Sequence, residues 1–196
     1  MVAAAGVPVL DADAVVHRLY GAGEPGSRLV GELFGNAALA ADGGVDRAAL
    51  ARLVLADAAA RGRLEAAVHP LVRRRVAGWL ADLEDHEIAV VEAALLVETG
   101  SYRDYDLLLV VWCEPEQQLE RALARGVPAE RARRILEAQL PLADKVALAD
   151  VAVDNRGDIE ALVGEVERRW AEVVDRCAGR RRSAGQPAAG SSHSVR

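Results

Sequence analysis

The sequence has a single lysine, Lys145, although lysine and arginine together number 24 among its 196 residues. All the other members of that set are therefore arginines. Because a guanidinium can grip two phosphate oxygens at once, any phosphate group that this chain binds must be held chiefly by arginine.

Cysteine and long apolar runs are also scarce. Cys113 and Cys177 lie at no metal-like spacing, and Cys113 falls inside an apolar run, so we predict neither a disulfide framework nor a zinc site. Apolar runs such as Leu107 to Cys113 are far shorter than a membrane span. The N-terminus lacks a basic region followed by a long apolar stretch. We therefore expect a cytoplasmic protein with no membrane partner.

The net charge of −6 argues against general nucleic-acid binding. It leaves room for a local basic pocket that holds a phosphorylated small molecule. The length fits one domain, or one domain with a small inserted lobe.

Continuous apolar segments separated by helical segments predict an α/β fold with a parallel sheet covered on both faces. The predicted strands are Val7 to Leu10, Ile88 to Glu92, Leu107 to Trp112 and Val151 to Val153. The predicted helices are Ala14 to Tyr20, Ser27 to Phe34, a helix capped by Asp46, a long helix from His69-Pro70 to about Asp85, a helix opened by Pro115, Ala129 to Leu140, and Ile159 to about Cys177.

Asp11 and Asp13 follow the first predicted strand. Side chains alternate along a strand, so both carboxylates would project to the same side at the strand's carboxyl end, where α/β proteins place ligands. The pair is a plausible seat for a magnesium ion and a hydroxyl nucleophile. Alternatively, Asp13 merely caps the helix that begins near Ala14.

Three further groups have both a functional and a structural interpretation. His69 beside Pro70 is either a ligand-binding group or a cap or core residue. An arginine series is either a phosphate site or the charged faces of two exposed helices. It comprises Arg121, Arg125, Arg131, Arg133 and Arg134, with Gln139 and Lys145. Asp154 to Gly157, which includes Asn155, is by itself a turn with favourable turn residues.

Taken in order, these pieces resemble the dephospho-coenzyme A kinase family from Val7 to about Trp170. The matching segments are Pro8 to Asp13, Asp42-Gly43, Asp46 to Leu50, Val68 to Val72, Leu95 to Gly100, Gln118 with Arg121 and Arg125-Gly126, Arg134-Ile135, Gln139, Lys145, Ala149-Asp150 and Val153 to Gly157. Each segment alone is weak evidence for the family, but the whole set in this order and spacing is specific to it.

The resemblance implies a P-loop kinase fold with a five-stranded parallel sheet in the order 2-3-1-4-5. It further implies substrate-binding helices over about 14–85 and a lid over about 116–148 within a domain of residues 1–177. Residues 178–196 are rich in arginine, serine and glycine, with almost nothing to bury, so we expect a disordered tail there.

The family's reaction transfers the γ-phosphate of ATP, with Mg²⁺, to the ribose 3′-hydroxyl of dephospho-coenzyme A. The resemblance implies that Asp13 orients or deprotonates the hydroxyl near magnesium and that Arg125 neutralises phosphate charge. Asp11, His69 and Glu98 fall on the substrate side. On the ATP and lid side it places Arg121, Arg134, Gln139, Lys145 and Asn155.

One family element is missing from the sequence. A phosphate loop of the form G-x-x-x-x-G-K-[ST] cannot occur, because the only lysine follows Leu-Ala-Asp. Met1 to Gly6 matches the end of the family's first helix, so we expect the first, central strand and the loop to be absent because the recorded start is internal. The alternatives are a non-catalytic remnant that binds coenzyme A precursors or a partner, and an unrelated α/β nucleotide-binding domain.

Overall fold

The computed structural model describes residues 6–83 and 88–184. The helix end expected over Met1 to Gly6 therefore lies almost entirely outside the described residues. The chain divides into two compact units, one that runs to Ala94 and one that begins at Leu95.

The first unit contains two short strands and four α-helices among its described residues. The strands β1 and β2 are parallel, with Val9 opposite Val90 and Asp11 opposite Glu92. In chain order the elements are β1 (Val9–Asp11), α1 (Ala12–Leu19), α2 (Pro25–Phe34), α3 (Arg47–Ala56), α4 (Ala58–Ala81) and β2 (Val90–Glu92).

The core of this unit forms where apolar stripes at helical spacing meet. Val15 and Leu19 of α1 pack with Leu71 of α4, and all three are less than a tenth exposed. A second cluster joins Val30, Ala38 and Leu50. Each buried aliphatic side chain of this size contributes about 1.5–3 kcal/mol, so the two clusters fix α1 against α4 and α2 against α3.

Aspartates begin three of these helices. Asp46 accepts hydrogen bonds from the amides of Ala48 and Ala49, which confirms the predicted cap of α3. Asp57 caps α4 in the same way. Helix α1 begins at Ala12 with Asp11 as its cap, so the suggestion that Asp13 caps this helix is wrong.

Pro70 does not begin a helix, contrary to the prediction. Helix α4 runs without interruption from Ala58 to Ala81 and contains Pro70 in its interior. Proline removes one helical hydrogen bond, but Val68 and Leu71, which flank it, are both buried. Packing on both sides of the proline therefore holds the helix together. Residues 84–87, where the helix was expected to end, lie outside the described residues.

The second unit contains the other parallel strand pair. The strands β3 (Leu109–Trp112) and β4 (Val151–Asp154) pair from Leu109 and Val151 to Trp112 and Asp154. The α-helices are α5 (Pro115–Ala124), α6 (Ala129–Glu137), α7 (Leu142–Leu148) and α8 (Ile159–Ala184). With the first strand of the expected order absent, β1 to β4 correspond to strands 2 to 5 of that order. The observed pairs β1–β2 and β3–β4 then agree with the expected neighbours 2-3 and 4-5.

Two helix ends in this unit differ from the prediction. The helix expected to reach Leu140 ends at Glu137, and a separate helix α7 follows Pro141. Helix α8 continues to Ala184, so residues 178–184 extend this helix instead of beginning a disordered tail. The rest of that predicted tail lies outside the described residues.

No α-helix in the described parts of the chain is long and apolar enough to cross a membrane. Cys113 is a buried free thiol, as its apolar run predicts, and Cys177 is a partly buried one.

Candidate active site

Asp11 and Asp13 lie at the junction between β1 and α1. Asp11 is the last residue of β1, and its Oδ1 accepts a hydrogen bond from the Ala14 amide at 3.0 Å. Asp13 lies in the first turn of α1, and both residues are exposed. The alternating geometry of a strand was therefore the wrong reason to group them, because the chain turns into a helix at Ala12. The two carboxylates nevertheless lie together at the carboxyl end of a parallel strand.

The surroundings of Asp13 raise the pKa of its carboxyl above the ordinary value. Partial desolvation is the largest cause, and the negative charge of Asp11 acts in the same direction. The positive charge of Arg47 opposes them. A carboxylate with a raised pKa is a better proton acceptor than an ordinary aspartate.

Arg47 and His17 belong to this site, although neither was singled out from the sequence. The Arg47 Nη1 atom lies 2.7 Å from Nδ1 of His17. This contact requires His17 to accept at Nδ1, because a guanidinium can only donate. The sequence did contain a signal: His17 is four residues after Asp13 and so lies on the same helical face, and Arg47 directly follows the cap Asp46.

His69 lies in the middle of α4, half-buried beside Val68. Helix α4 packs against α1 through Leu71, Val15 and Leu19. His69 is thus part of the helix that supports the aspartate-bearing α1, and it is not a helix cap.

Glu98, Gln139 and Lys145 form one buried polar cluster in the second unit. The Lys145 Nζ lies 2.5 Å from Oε1 of Glu98 and donates to Oε1 of Gln139 at 2.8 Å. The Leu140 amide donates to the same Glu98 oxygen at 3.1 Å. The side chains of Glu98 and Lys145 are 15% and 10% exposed. The family resemblance divides these residues between the substrate side and the lid side, and the structure brings them together.

The electrostatics of Glu98 follow from this cluster. Burial works to raise the pKa of its carboxyl, but the hydrogen bond from Lys145, together with backbone amides, holds the pKa below its usual range. Its Oε2 is buried and has no hydrogen-bond partner within the described part of the chain. The carboxylate therefore keeps one unsatisfied acceptor atom inside the cluster.

Arg121 and Asn155 also lie together. The two terminal nitrogens of Arg121 donate to the carbonyl oxygens of Asn155 at 2.8 Å and Gly157 at 3.4 Å. Gln117 donates to the carbonyl of Arg156 at 2.8 Å. Helix α5 therefore fixes the backbone of the loop that follows β4.

Arg125 and Arg134 occupy the two helices on either side of the Gly126 break. Arg125 ends α5 and is exposed. Arg134 is exposed on α6, where its Nε donates to the carbonyl of Glu130 at 3.2 Å. Both guanidiniums have open donor positions toward solvent, which suits mobile phosphate-binding groups.

Within residues 6–83 and 88–184, no three His, Cys, Asp or Glu side chains approach one another closely enough to hold a metal ion. Asp11 and Asp13 supply two carboxylates at one place. Two carboxylates suffice for magnesium when substrate phosphates and water complete its coordination.

Short parallel strands, a carboxylate pair at a strand's carboxyl end and arginine-bearing helices define an α/β phosphotransferase of the P-loop kinase type. The fold agrees with solved structures. A Thermus thermophilus protein is 33% identical, with a TM-score of 0.73, and the match covers 88% of this chain and 85% of that one. The dephospho-CoA kinase from Campylobacter jejuni shares the fold, with a TM-score of 0.62 and 22% identity over 88% of this chain and 87% of that one.

The family model described as dephospho-CoA kinase matches residues 1–161. The dephospho-CoA kinase of Frankia casuarinae is 40% identical over 174 residues, which is 89% of this chain and 76% of the relative. That of Methylococcus capsulatus is 42% identical over 168 residues, 85% of this chain and 84% of the relative. The chain belongs to the dephospho-CoA kinase family.

Proposed function

We propose that this protein transfers the γ-phosphate of ATP to the ribose 3′-hydroxyl of dephospho-coenzyme A and so forms coenzyme A. The observation that carries the proposal is the position of Asp13. It lies beside Asp11 at the carboxyl end of β1, exposed to an incoming substrate, and its pKa is raised.

Asp13 acts on the acceptor. Its carboxylate receives a hydrogen bond from the 3′-hydroxyl and takes the proton as the ribose oxygen bonds to the γ-phosphorus and the bond to ADP breaks. Arg47 lies close enough for its positive charge to oppose the rise in the pKa of Asp13. His69 and Glu98 are the further substrate-side groups.

Magnesium fits the carboxylate pair. One oxygen of Asp11 is used by the Ala14 amide, and the other oxygen and the Asp13 carboxylate remain available to the ion or to its waters. A bound Mg²⁺ would offset charge on the phosphate oxygens of ATP.

On the donor side, this chain contributes arginines, because it contains no Gly-Lys-Ser or Gly-Lys-Thr loop. Arg125 and Arg134 flank a glycine break in the lid, taken as about residues 116–148, and can move toward the phosphates. Arg121 positions the Asn155 loop, the site for the adenine of ATP, and Gln139 and Lys145 anchor the far end of the lid to Glu98. Closure of such a lid would exclude water, which competes with the ribose as acceptor.

Family membership does not favour the alternative of a non-catalytic remnant. ATP and coenzyme A precursors are small cytoplasmic molecules, and we place the reaction there. No nucleic-acid partner is proposed for a chain with this acidic balance.

The test is product analysis. The purified protein is incubated with magnesium, ATP and dephospho-coenzyme A, and the products are separated and compared with authentic coenzyme A. We expect ADP and coenzyme A in equal amounts, with formation of both lost in Asp13→Asn. Binding of dephospho-coenzyme A without any product in the presence of ATP would contradict the proposal.

A further inference from the structure

The contact between His17 and Arg47 joins α1 to the first residue of α3. Arg47 Nη1 lies 2.7 Å from His17 Nδ1, and both side chains are exposed. Because a guanidinium can only donate, Nδ1 must be unprotonated and the imidazole must be neutral. The contact therefore holds the guanidinium only as long as His17 offers this acceptor atom.

The backbone fixes the start of the Arg47 side chain beside α1. The amide of Val45 donates to the carbonyl of Tyr20, the C-cap of α1, at 2.9 Å. The Asp46 side chain caps α3 and so sets the direction of its first turn. The long Arg47 side chain begins from this fixed backbone, and its own torsions decide which acceptor the guanidinium reaches.

Asp13 is a competing acceptor for this guanidinium. Residues four apart on a helix share a face, with Cβ atoms about 5–6 Å apart, so Asp13 lies one turn from His17. Desolvation and the charge of Asp11 raise the pKa of the Asp13 carboxyl, and the charge of Arg47 opposes them, which shows that the guanidinium lies near. Within the described residues, however, Arg47 donates to His17 and forms no ion pair with Asp13.

A direct ion pair with Arg47 would hinder the Asp13 carboxylate. A guanidinium can donate to both carboxylate oxygens at once, and it then occupies lone pairs that must receive the proton of the hydroxyl. It also stabilises the ionised form and so makes the carboxylate a weaker proton acceptor. A guanidinium held one turn away leaves the oxygens open while its positive charge stays near them.

We propose that His17 is a positioning residue: by accepting a hydrogen bond from Arg47, it keeps the guanidinium out of direct contact with Asp13. The Asp13 carboxylate thereby remains free to act on the acceptor hydroxyl. This inference rests on the proposed function, because it takes Asp13 as the group that receives the hydroxyl proton. His17 acts through Arg47 and transfers no proton itself.

The first test removes the acceptor atom and then restores it. His17→Leu offers no lone pair to Arg47, whereas the matched variant His17→Asn places its amide oxygen where Nδ1 lies in histidine. His17 is exposed, so neither variant leaves a cavity in the core, and thermal unfolding of each checks the fold. With ATP, magnesium and dephospho-coenzyme A, we expect His17→Leu to lower kcat about three- to tenfold with little change in either KM. His17→Asn should restore most of the lost rate.

The second test is a double-mutant cycle with Arg47→Met, which cannot donate to either acceptor. In that background His17→Leu should cause no further fall in kcat, because no guanidinium is left to move onto Asp13. An equal fall in kcat with and without Arg47 would show that His17 acts by another route, and it would overturn the inference. Full activity of His17→Leu in the presence of Arg47 would overturn it also.

A measurement that does not depend on turnover separates this inference from the proposed function. Nitrogen-15 NMR of the imidazoles reports the state of each ring nitrogen, and the His17 signal is the one lost in His17→Asn. We expect an unprotonated Nδ1 whose resonance moves in Arg47→Met. If coenzyme A forms but this resonance does not move, the inference alone is rejected. If the resonance moves but no coenzyme A forms, the proposed function fails, and the role of His17 fails with it.

Discussion

Replacing Lys145 by methionine tests the buried polar cluster of the second unit. In the native protein the ammonium lies 2.5 Å from Glu98, and the Lys145 and Glu98 side chains are only 10% and 15% exposed. Methionine preserves much of the volume but leaves an ionised glutamate without its cation. Breaking a buried ion pair in this way costs about 3–5 kcal/mol, so we expect Lys145→Met to lower the free energy of unfolding by about 3 kcal/mol at neutral pH.

The stability cost of Lys145→Met should depend on pH in a definite direction. The Glu98 pKa is lowered in the folded native protein, so its contribution to stability is present above the unfolded-state pKa and is lost as pH falls through the folded-state pKa. Without Lys145, burial becomes the dominant influence, and the pKa of Glu98 should rise above its ordinary value. Protonation of Glu98 in mild acid then removes the unpaired buried charge from the variant. The difference in unfolding free energy between the native protein and the variant should therefore shrink as the pH falls.

The assay is urea unfolding followed by circular dichroism, at neutral pH and again near the ordinary pKa of glutamate. Arg133→Met is the control, because Arg133 pairs with Glu130 at 3.4 Å while both side chains are more than half exposed. Such a surface pair contributes about 0–1 kcal/mol. The reasoning is refuted if Lys145→Met costs no more than Arg133→Met, or if its cost grows as the pH falls.

Three further predictions concern the first unit and the Asn155 loop. Because Arg47 lowers the pKa of Asp13, Arg47→Gln should move the acid limb of the pH–rate profile to higher pH, with the rate falling as Asp13 becomes protonated; an unmoved limb would exclude Asp13 as the titrating base. Asp46→Ala removes a cap that accepts two amide hydrogen bonds and should cost about 1 kcal/mol in thermal or urea unfolding, whereas Asp46→Asn should cost much less. Arg121→Met should loosen the loop at Asn155 and raise KM for ATP with little change in KM for the acceptor, and an equal rise in both would count against a loop-specific role.

Local signals predicted much of the fold. The cap at Asp46, the apolar stripe of α1 and the continuous apolar strands are encoded within a few residues of each other, and each is confirmed. Pro70 misled the prediction because local preference against proline in a helix was outweighed by packing of Val68 and Leu71. Tertiary contacts of this kind cannot be predicted from a short segment of sequence.

The candidate site likewise contains residues that local sequence predicts and residues that only the fold brings together. Asp11 and Asp13 were found because they are neighbours at the end of a strand. The pairing of Glu98 with Lys145, and of Arg47 with His17, joins residues far apart in the chain. Resemblance to the family pointed to Glu98 and Lys145 separately, but only the folded chain shows that they neutralise each other.

The central claim is that the acceptor is the ribose 3′-hydroxyl of dephospho-coenzyme A. The most direct measurement supplies ATP with a labelled γ-phosphate and compares dephospho-coenzyme A with its 3′-deoxy analogue. Label in coenzyme A from the first compound and none in the second is the predicted result. Label in the 3′-deoxy compound, or none in either when both bind, would contradict the claim.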